Sequence, residues 1–206
     1  MELSDVHAVL FDMDGTLVDS DAVVDRSWSQ WAEEYGVPVA DVLAIAHGSP
    51  AEVTIGRMRP DLSPAERAEA VARVLDIESS DVSDVVATPG APELTALLDR
   101  LGIPWAVYTS ASTRLAKVRL DAVGITPSIL VTLDDVTHGK PNPEGYLRAA
   151  ELLGVPADQC LVVEDTTVGL AAGKASGALT AGLKGIPADI RLTTLHELVD
   201  LLGSTG

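Results

Sequence analysis

Ala8-Val9-Leu10-Phe11-Asp12-Met13-Asp14-Gly15-Thr16 is the stretch on which the fold turns: a short apolar run that passes directly into two carboxylates and a glycine. An apolar run of that length with a charged boundary reads as a buried strand. The same form recurs at Trp105-Ala106-Val107-Tyr108, Ile129-Leu130-Val131 and Leu161-Val162-Val163. Between these runs, residues 93–101, 113–123 and 143–153 carry amphipathic helical patterns. Gly102, Gly124 and Gly154 follow them where a C-terminal cap is expected. Strands alternating with helices predict an α/β fold with a Rossmann-like parallel sheet core and helices on both faces, because right-handed crossovers leave few other arrangements.

Residues 20–87 break that rhythm. Helical patterns over 22–35, 40–46 and 64–75 follow one another without a convincing strand, which predicts an inserted helical cap domain dividing the core into 1–19 and 88–206. The acidic stretch 76–84 is expected to be a solvated return segment, since its carboxylates lack the glycine spacing of a cation-binding loop.

The composition narrows the function classes. A chain of 206 residues with 47% hydrophobic content can bury a real core. Its 31 acidic against 14 basic residues give a net charge of −17, whose far field repels nucleic acid and anionic membranes. An anionic substrate then needs local positive charge, from a metal ion or a well-placed lysine. The single cysteine, Cys160, excludes an internal disulfide and suits a reducing cytoplasm. No leader-like pattern opens the sequence and no apolar run is long enough to span a membrane, so a soluble cytoplasmic protein is expected. Whether it is a monomer or a small homo-oligomer is not written in the sequence.

Chemically active residues follow the apolar runs: Asp12 and Asp14, then Ser110, then Lys140 in a loop, then Glu164 and Asp165. Ligands of open α/β sheets bind beyond the carboxyl ends of the strands, so these segments are candidates for one pocket. A strand period of two sets Asp12 and Asp14 on one side. Two carboxylates so placed call for a divalent cation or a shared proton, and oxygen-only donors favour Mg²⁺; Gly15 offers a sharp turn with backbone N–H groups for phosphate oxygens. The same segment is also open to being no more than an acidic turn. Ser110 and the backbone of Ala111 sit where a helix N-terminus binds a phosphoryl oxygen, and Ser110 is equally open to a capping role. Lys140 is either a surface charge or the cation that offsets the carboxylates and an incoming phosphate. His138 beside it is an acid–base candidate or a plain loop residue. Adjacent strand residues face opposite ways, so of Glu164 and Asp165 only Asp165 is expected to hold a metal, with Glu164 orienting its ligands. Capping of the next helix is the other role open to Asp165.

In this order, the segment 12–16, Ser110, Lys140-Pro141 and Glu164-Asp165 resemble the four motifs of the haloacid dehalogenase superfamily of phosphatases, over almost the whole chain. Residues 134–146 and 164–173 resemble the branch containing small sugar-phosphate and polyol-phosphate phosphatases and β-phosphoglucomutase. The resemblance implies that Asp12 attacks phosphorus to form an aspartyl-phosphate, and that Asp14 protonates the leaving oxygen and then activates water. It further implies Mg²⁺ held by Asp12, the backbone carbonyl of Asp14, and Asp165, with Ser110 and Lys140 on the transferring group. The mutase histidine falls at Val24 and its phosphate-binding arginine near Ala51, which favours hydrolysis of a small phosphorylated metabolite over isomerisation. His47, Arg57 and Arg59 are the cap residues nominated to face the pocket, each equally open to being an exposed cap residue.

Overall fold

The computed structural model describes residues 5–47 and 49–203; residues 1–4 and 204–206 of the expected core, and Gly48 of the expected cap, lie outside them. Strand β1 (Ala8–Phe11) is followed by β2 (Val18–Asp19), then by α1 (Asp21–Tyr35), α2 (Val39–Ala46), α3 (Ala51–Met58) and α4 (Pro64–Ser80). The chain returns through β3 (Val86–Ala87), α5 (Ala91–Leu101), β4 (Trp105–Tyr108), α6 (Thr113–Ala122) and β5 (Leu130–Val131). It closes with α7 (Glu144–Leu153), β6 (Cys160–Glu164), α8 (Thr167–Ala175), β7 (Leu179–Gly182), β8 (Ile190–Arg191) and α9 (Leu195–Gly203). No helix among the described residues is long and apolar enough to cross a membrane.

Six of these strands form a sheet in the order β5-β4-β1-β6-β7-β8, with every pairing parallel. Strand β1 lies between β4 and β6, so the chain runs outward in both directions from a central switch point. Strands β1 and β4, and β6 up to Glu164, are apolar because both faces are covered, and the period of two divides them cleanly. Val9, Phe11, Trp105, Val107, Leu161 and Val163 join one core cluster, which α5, α6 and α9 complete. Leu10, Ala106, Tyr108 and Val162 join another against α7 and α8. Gly102 and Gly154 end α5 and α7 in the left-handed conformation, as their sequence positions predict.

Helices α1 to α4 enclose a third core around Trp28, Trp31, Val42, Ile55 and Val74, with Trp31 stacked on Tyr35 at 4.6 Å and edge-on to Trp28. The capping box of Ser63 and Glu66 opens α4 with Pro64 at its first position. Two expectations bear on this region. The boundary at 20–87 cuts through a small antiparallel ladder, Val18 opposite Ala87 and Asp19 opposite Val86, by which the chain leaves and re-enters the core. The segment 76–84 is only partly a solvated return: α4 runs to Ser80, and Glu78 is buried because it continues the apolar stripe of Ala70, Val74 and Ile77.

Candidate active site

At the carboxyl end of the sheet the strand ends converge. Asp12 follows β1, its N–H bonded at 3.0 Å to the carbonyl of Val163 in β6, and its side chain is nearly buried. Lys140, 6% exposed, donates to Asp12 Oδ1 and, at 2.6 Å, to Glu164 Oε1. The ammonium also lies 4.9 Å and 5.3 Å from the ring centroids of Tyr108 and Tyr146, which gives it an aromatic wall as well as two carboxylates. Carboxylate oxygens of Asp12, Glu164 and Asp165 all come within 4.8 Å of one another, the arrangement in which a divalent cation bridges acids that otherwise repel.

The protonation balance follows from burial. Burial pushes the Asp12 carboxyl well above the usual carboxylate range; Lys140 opposes this, while Glu164 and Asp165 add to it. Burial disfavours the Lys140 charge, but the attraction of Asp12 and Glu164 outweighs it and raises the lysine above its ordinary value. Burial also raises Asp165, against the pull of Lys184, whose ammonium donates to Asp165 Oδ2 at 2.8 Å. Tyr146 is held far from ionisation by burial first and by the charges of Glu164 and Asp12 second. The site therefore carries more carboxylates than its lysines neutralise, with Asp12, Lys140 and Glu164 largely withdrawn from solvent. Its donors are hard oxygens, which fit Mg²⁺ or a similar ion and fit no thiolate-seeking metal.

Glu164 is fully buried and saturated. Its Oε1 accepts from Lys140 and from the Tyr146 hydroxyl at 2.9 Å, while Oε2 accepts from the N–H groups of Asp165 and Thr166 and from the Thr166 hydroxyl. Gly169 in α8 lets this happen, since a Cβ there would stand 1.6 Å from Glu164 Oε1. Asp165 lies beyond the end of β6, accepting from Thr16 Oγ1 at 3.5 Å as well as from Lys184. The cap of α8 is Thr166, so the capping role does not fall to Asp165.

Asp14 departs from the strand-period expectation. Strand β1 has already ended at Phe11, and Gly15, with φ of +82°, turns the chain. A Cβ on Gly15 would come 2.1 Å from Asp165 Oδ2, so the residue is also required for close approach. The Asp14 carboxylate is not in the three-acid cluster; its Oδ1 accepts from Ser20 Oγ at 2.7 Å and from Arg119 Nη1 at 2.8 Å. The Gly15 N–H expected to face phosphate is used inside the turn, on the carbonyl of Val18 at 2.7 Å.

Ser110 follows β4 and is half-buried. The helix cap next to it is Ser112, which accepts from Leu115, so capping does not occupy Ser110. The N–H of Ala111 donates to Thr109 Oγ1 at 3.0 Å and is thus engaged in this arrangement. His138 is exposed and paired with Glu144 at 3.1 Å, outside the carboxylate cluster. Among the expected cap residues, His47 bridges Asp25 and Asp21 of α1 at 2.8 and 3.3 Å. Arg59 instead serves the insert itself, donating to Asp61 and to the carbonyl of Tyr35. Arg57 is exposed in the last turn of α3, Val24 is buried, and Ala51 starts α3.

Sequence reasoning missed Tyr108, Tyr146, Lys184, Glu78 and Arg119. The aromatic pair reads as ordinary core, and Lys184 as a loop charge. Arg119 had a visible mark: it interrupts the buried stripe Leu115, Ala116 and Leu120 of α6.

A family model described as haloacid dehalogenase-like hydrolase matches residues 6–177. Hexitol phosphatase A of Escherichia coli K12 is 40% identical over 181 residues, covering 87% of this chain and 83% of that protein. 2-Deoxyglucose-6-phosphate phosphatase 1 of Saccharomyces cerevisiae is 35% identical over 193 residues, covering 84% and 78%. Among solved structures, β-phosphoglucomutase from Clostridium difficile superimposes with a TM-score of 0.86 at 18% identity, covering 97% of this chain and 96% of that one, a likeness of fold.

Proposed function

Since the chain belongs to the haloacid dehalogenase-like hydrolases, and is a phosphoric monoester hydrolase, we propose that it dephosphorylates small sugar or polyol phosphates with Mg²⁺ and an Asp12 nucleophile. The observation that carries this reading is the buried Asp12 carboxylate at the end of β1, paired with Lys140 and clustered with Asp165 and Glu164. The names of the two phosphatase relatives, a hexitol phosphatase and a deoxysugar-phosphate phosphatase, support the substrate class.

In this mechanism Asp12 attacks phosphorus and the ester oxygen leaves with a proton from Asp14, giving an aspartyl-phosphate. Asp14 then takes a proton from the water that releases phosphate. Lys140 and Ser110 hold the phosphoryl oxygens, and the ammonium offsets charge spread over them in the transition state. Asp12, the Asp14 carbonyl and Asp165 would hold Mg²⁺, which supplies Lewis-acid charge to the phosphoryl group when bound. Glu164 keeps Lys140 and the 165–166 backbone in place. Residues 20–87 act as a cap that shelters the reaction from water, with His47 and Arg57 the candidates for reading the substrate's hydroxyls. Chemistry on phosphorylated metabolites suits a cytoplasmic enzyme, as does one buried, unpaired cysteine.

A mutase must grip a second phosphate, and neither buried Val24 nor Ala51 supplies a charge for it. The test is phosphate release from a panel of hexose, pentose, hexitol and nucleotide monophosphates, with β-glucose 1-phosphate included. Metal-dependent release should be fastest on the hexitol and sugar esters. Isomerisation of β-glucose 1-phosphate without free phosphate would contradict the reading.

A further inference from the structure

Arg119 is a feature of the site region that the mechanism above does not use. It is an arginine 4% exposed, carried on α6 in the core domain, and its Nη1 donates to Asp14 Oδ1 at 2.8 Å. On its other side Nη2 stands 3.4 Å from Glu78 Oε1 on α4, whose side chain is 6% exposed. Helix α4 belongs to the insert and packs on α6. One guanidinium therefore faces two carboxylates, one from the sheet-end turn and one from the inserted helices. The contacts are unequal. The Asp14 bond is well made, whereas Nη2 and Nε lack a hydrogen bond, so the hold on Glu78 is an ion pair with room to tighten. Burying an arginine with donors to spare is expensive unless its placement serves something. Burial drives the Glu78 carboxyl above its ordinary value; Arg119 opposes this, and Asp14 reinforces it.

The second observation is on Asp14 itself. Its Oδ1 is taken twice, by Arg119 and by Ser20 Oγ, while Oδ2 makes no hydrogen bond among the described residues. A carboxyl fixed through one oxygen presents the other in a defined direction. Proton transfer depends steeply on that direction.

We propose that Arg119 is a positioning residue for Asp14: with Ser20 it anchors Oδ1 so that Oδ2 carries the transferable proton, and through Glu78 it makes that anchoring depend on the inserted helices. This rests on the acid–base role given to Asp14 above. Movement of α4 relative to α6 changes the Glu78 contact with the guanidinium and with it the hold on Asp14. The orientation of the acid is thereby linked to the position of the helices that cover the substrate.

Leaving-group dependence tests this. A sugar or polyol phosphate expels an alkoxide that needs the proton, whereas p-nitrophenyl phosphate expels a phenolate that scarcely does. Because hydrolysis of the aspartyl-phosphate is common to both esters, the acid step is read in kcat/KM: Arg119→Met should lower it by about 10- to 100-fold on the alkyl ester and by no more than about 3-fold on p-nitrophenyl phosphate. Arg119→Lys should recover part of the alkyl-ester rate, and Glu78→Gln should shift the same ratio in the same direction by a smaller factor. Arg119→Met/Glu78→Gln serves if the single methionine variant fails to fold, since it removes the carboxylate that would be left buried alone. Its ester ratio should match that expected of Arg119→Met. An equal fall in kcat/KM on both esters, or a lysine variant no better than methionine, would overturn the inference. Asp14→Asn on the same esters separates the two levels. If it shows the ester dependence and the Arg119 variants do not, only the positioning role falls. If it shows none, the role of Asp14 falls first and takes Arg119 with it.

Discussion

The strand-end centre and the inserted helices use the same charged residues to opposite ends. Apart from Glu78, which meets Arg119, the ion pairs of the insert lie near water: Arg73 with Glu34, both more than a third exposed, and Arg59 with Asp61. Pairs of that kind contribute little to stability, and the insert is held instead by Trp28, Trp31 and their aliphatic neighbours. At the strand ends, Asp12, Lys140 and Glu164 are all at least nine-tenths buried, and the acids outnumber the cations. Such an arrangement destabilises the fold where it stands, so what maintains it is chemistry rather than folding.

The comparison breaks most readily at Lys140. Lys140→Met leaves Asp12 and Glu164 facing each other without their cation, and should lower phosphate release by about 100-fold or more. The same change should destabilise the fold by about 3–5 kcal/mol in urea melts, because a buried pair has lost one partner. Arg73→Ala in the insert should change neither rate nor melting temperature. If the two variants behave alike, the contrast between the regions is wrong.

A smaller effect sharpens it. The raised Asp12 and Asp165 carboxyls bind protons more tightly folded than unfolded. Their burden on stability is therefore absent below the unfolded carboxylate value and grows as pH rises through the raised folded values. Mg²⁺ binds the deprotonated acids, so the rise in melting temperature that it produces should increase with pH, reaching about 5–10 °C at a hundredfold excess over Kd. Asp165→Asn should lose that rise. A Mg²⁺ shift that does not vary with pH, or that survives in Asp165→Asn, would move the ion away from these carboxylates.

What the sequence revealed and what it hid divide along the same line. The central strands β1, β4 and β6 were legible because parallel strands covered on both faces are apolar at every position. Strands β7 and β8 were not: Leu179-Thr180-Ala181-Gly182 mixes polar and small residues, and Ile190–Arg191 is too short to show a period. Helix α3 hid behind Thr54 and Gly56, which weaken its helical pattern while Ile55 packs into the core. Asp12, Ser110, Lys140 and Asp165 could be nominated because polar residues that follow apolar runs are visible one at a time. The setting of Lys140 between Tyr108 and Tyr146, and of Asp14 between Ser20 and Arg119, could not be, since those contacts join segments whose apposition only the folded chain defines. Glu78 was misread for a related reason: an acidic run looks solvated until one of its members proves to continue a buried helical stripe.

The most direct test of the central claim is to trap the covalent intermediate. Quenching steady-state hydrolysis of the best ester with borohydride reduces an acyl-phosphate aspartate to homoserine, which peptide mass spectrometry locates. Homoserine is expected at position 12, dependent on both Mg²⁺ and substrate and absent from Asp12→Asn, which should release no phosphate. Phosphate release by Asp12→Asn at a rate near wild type, or homoserine formed at another carboxylate, would contradict it.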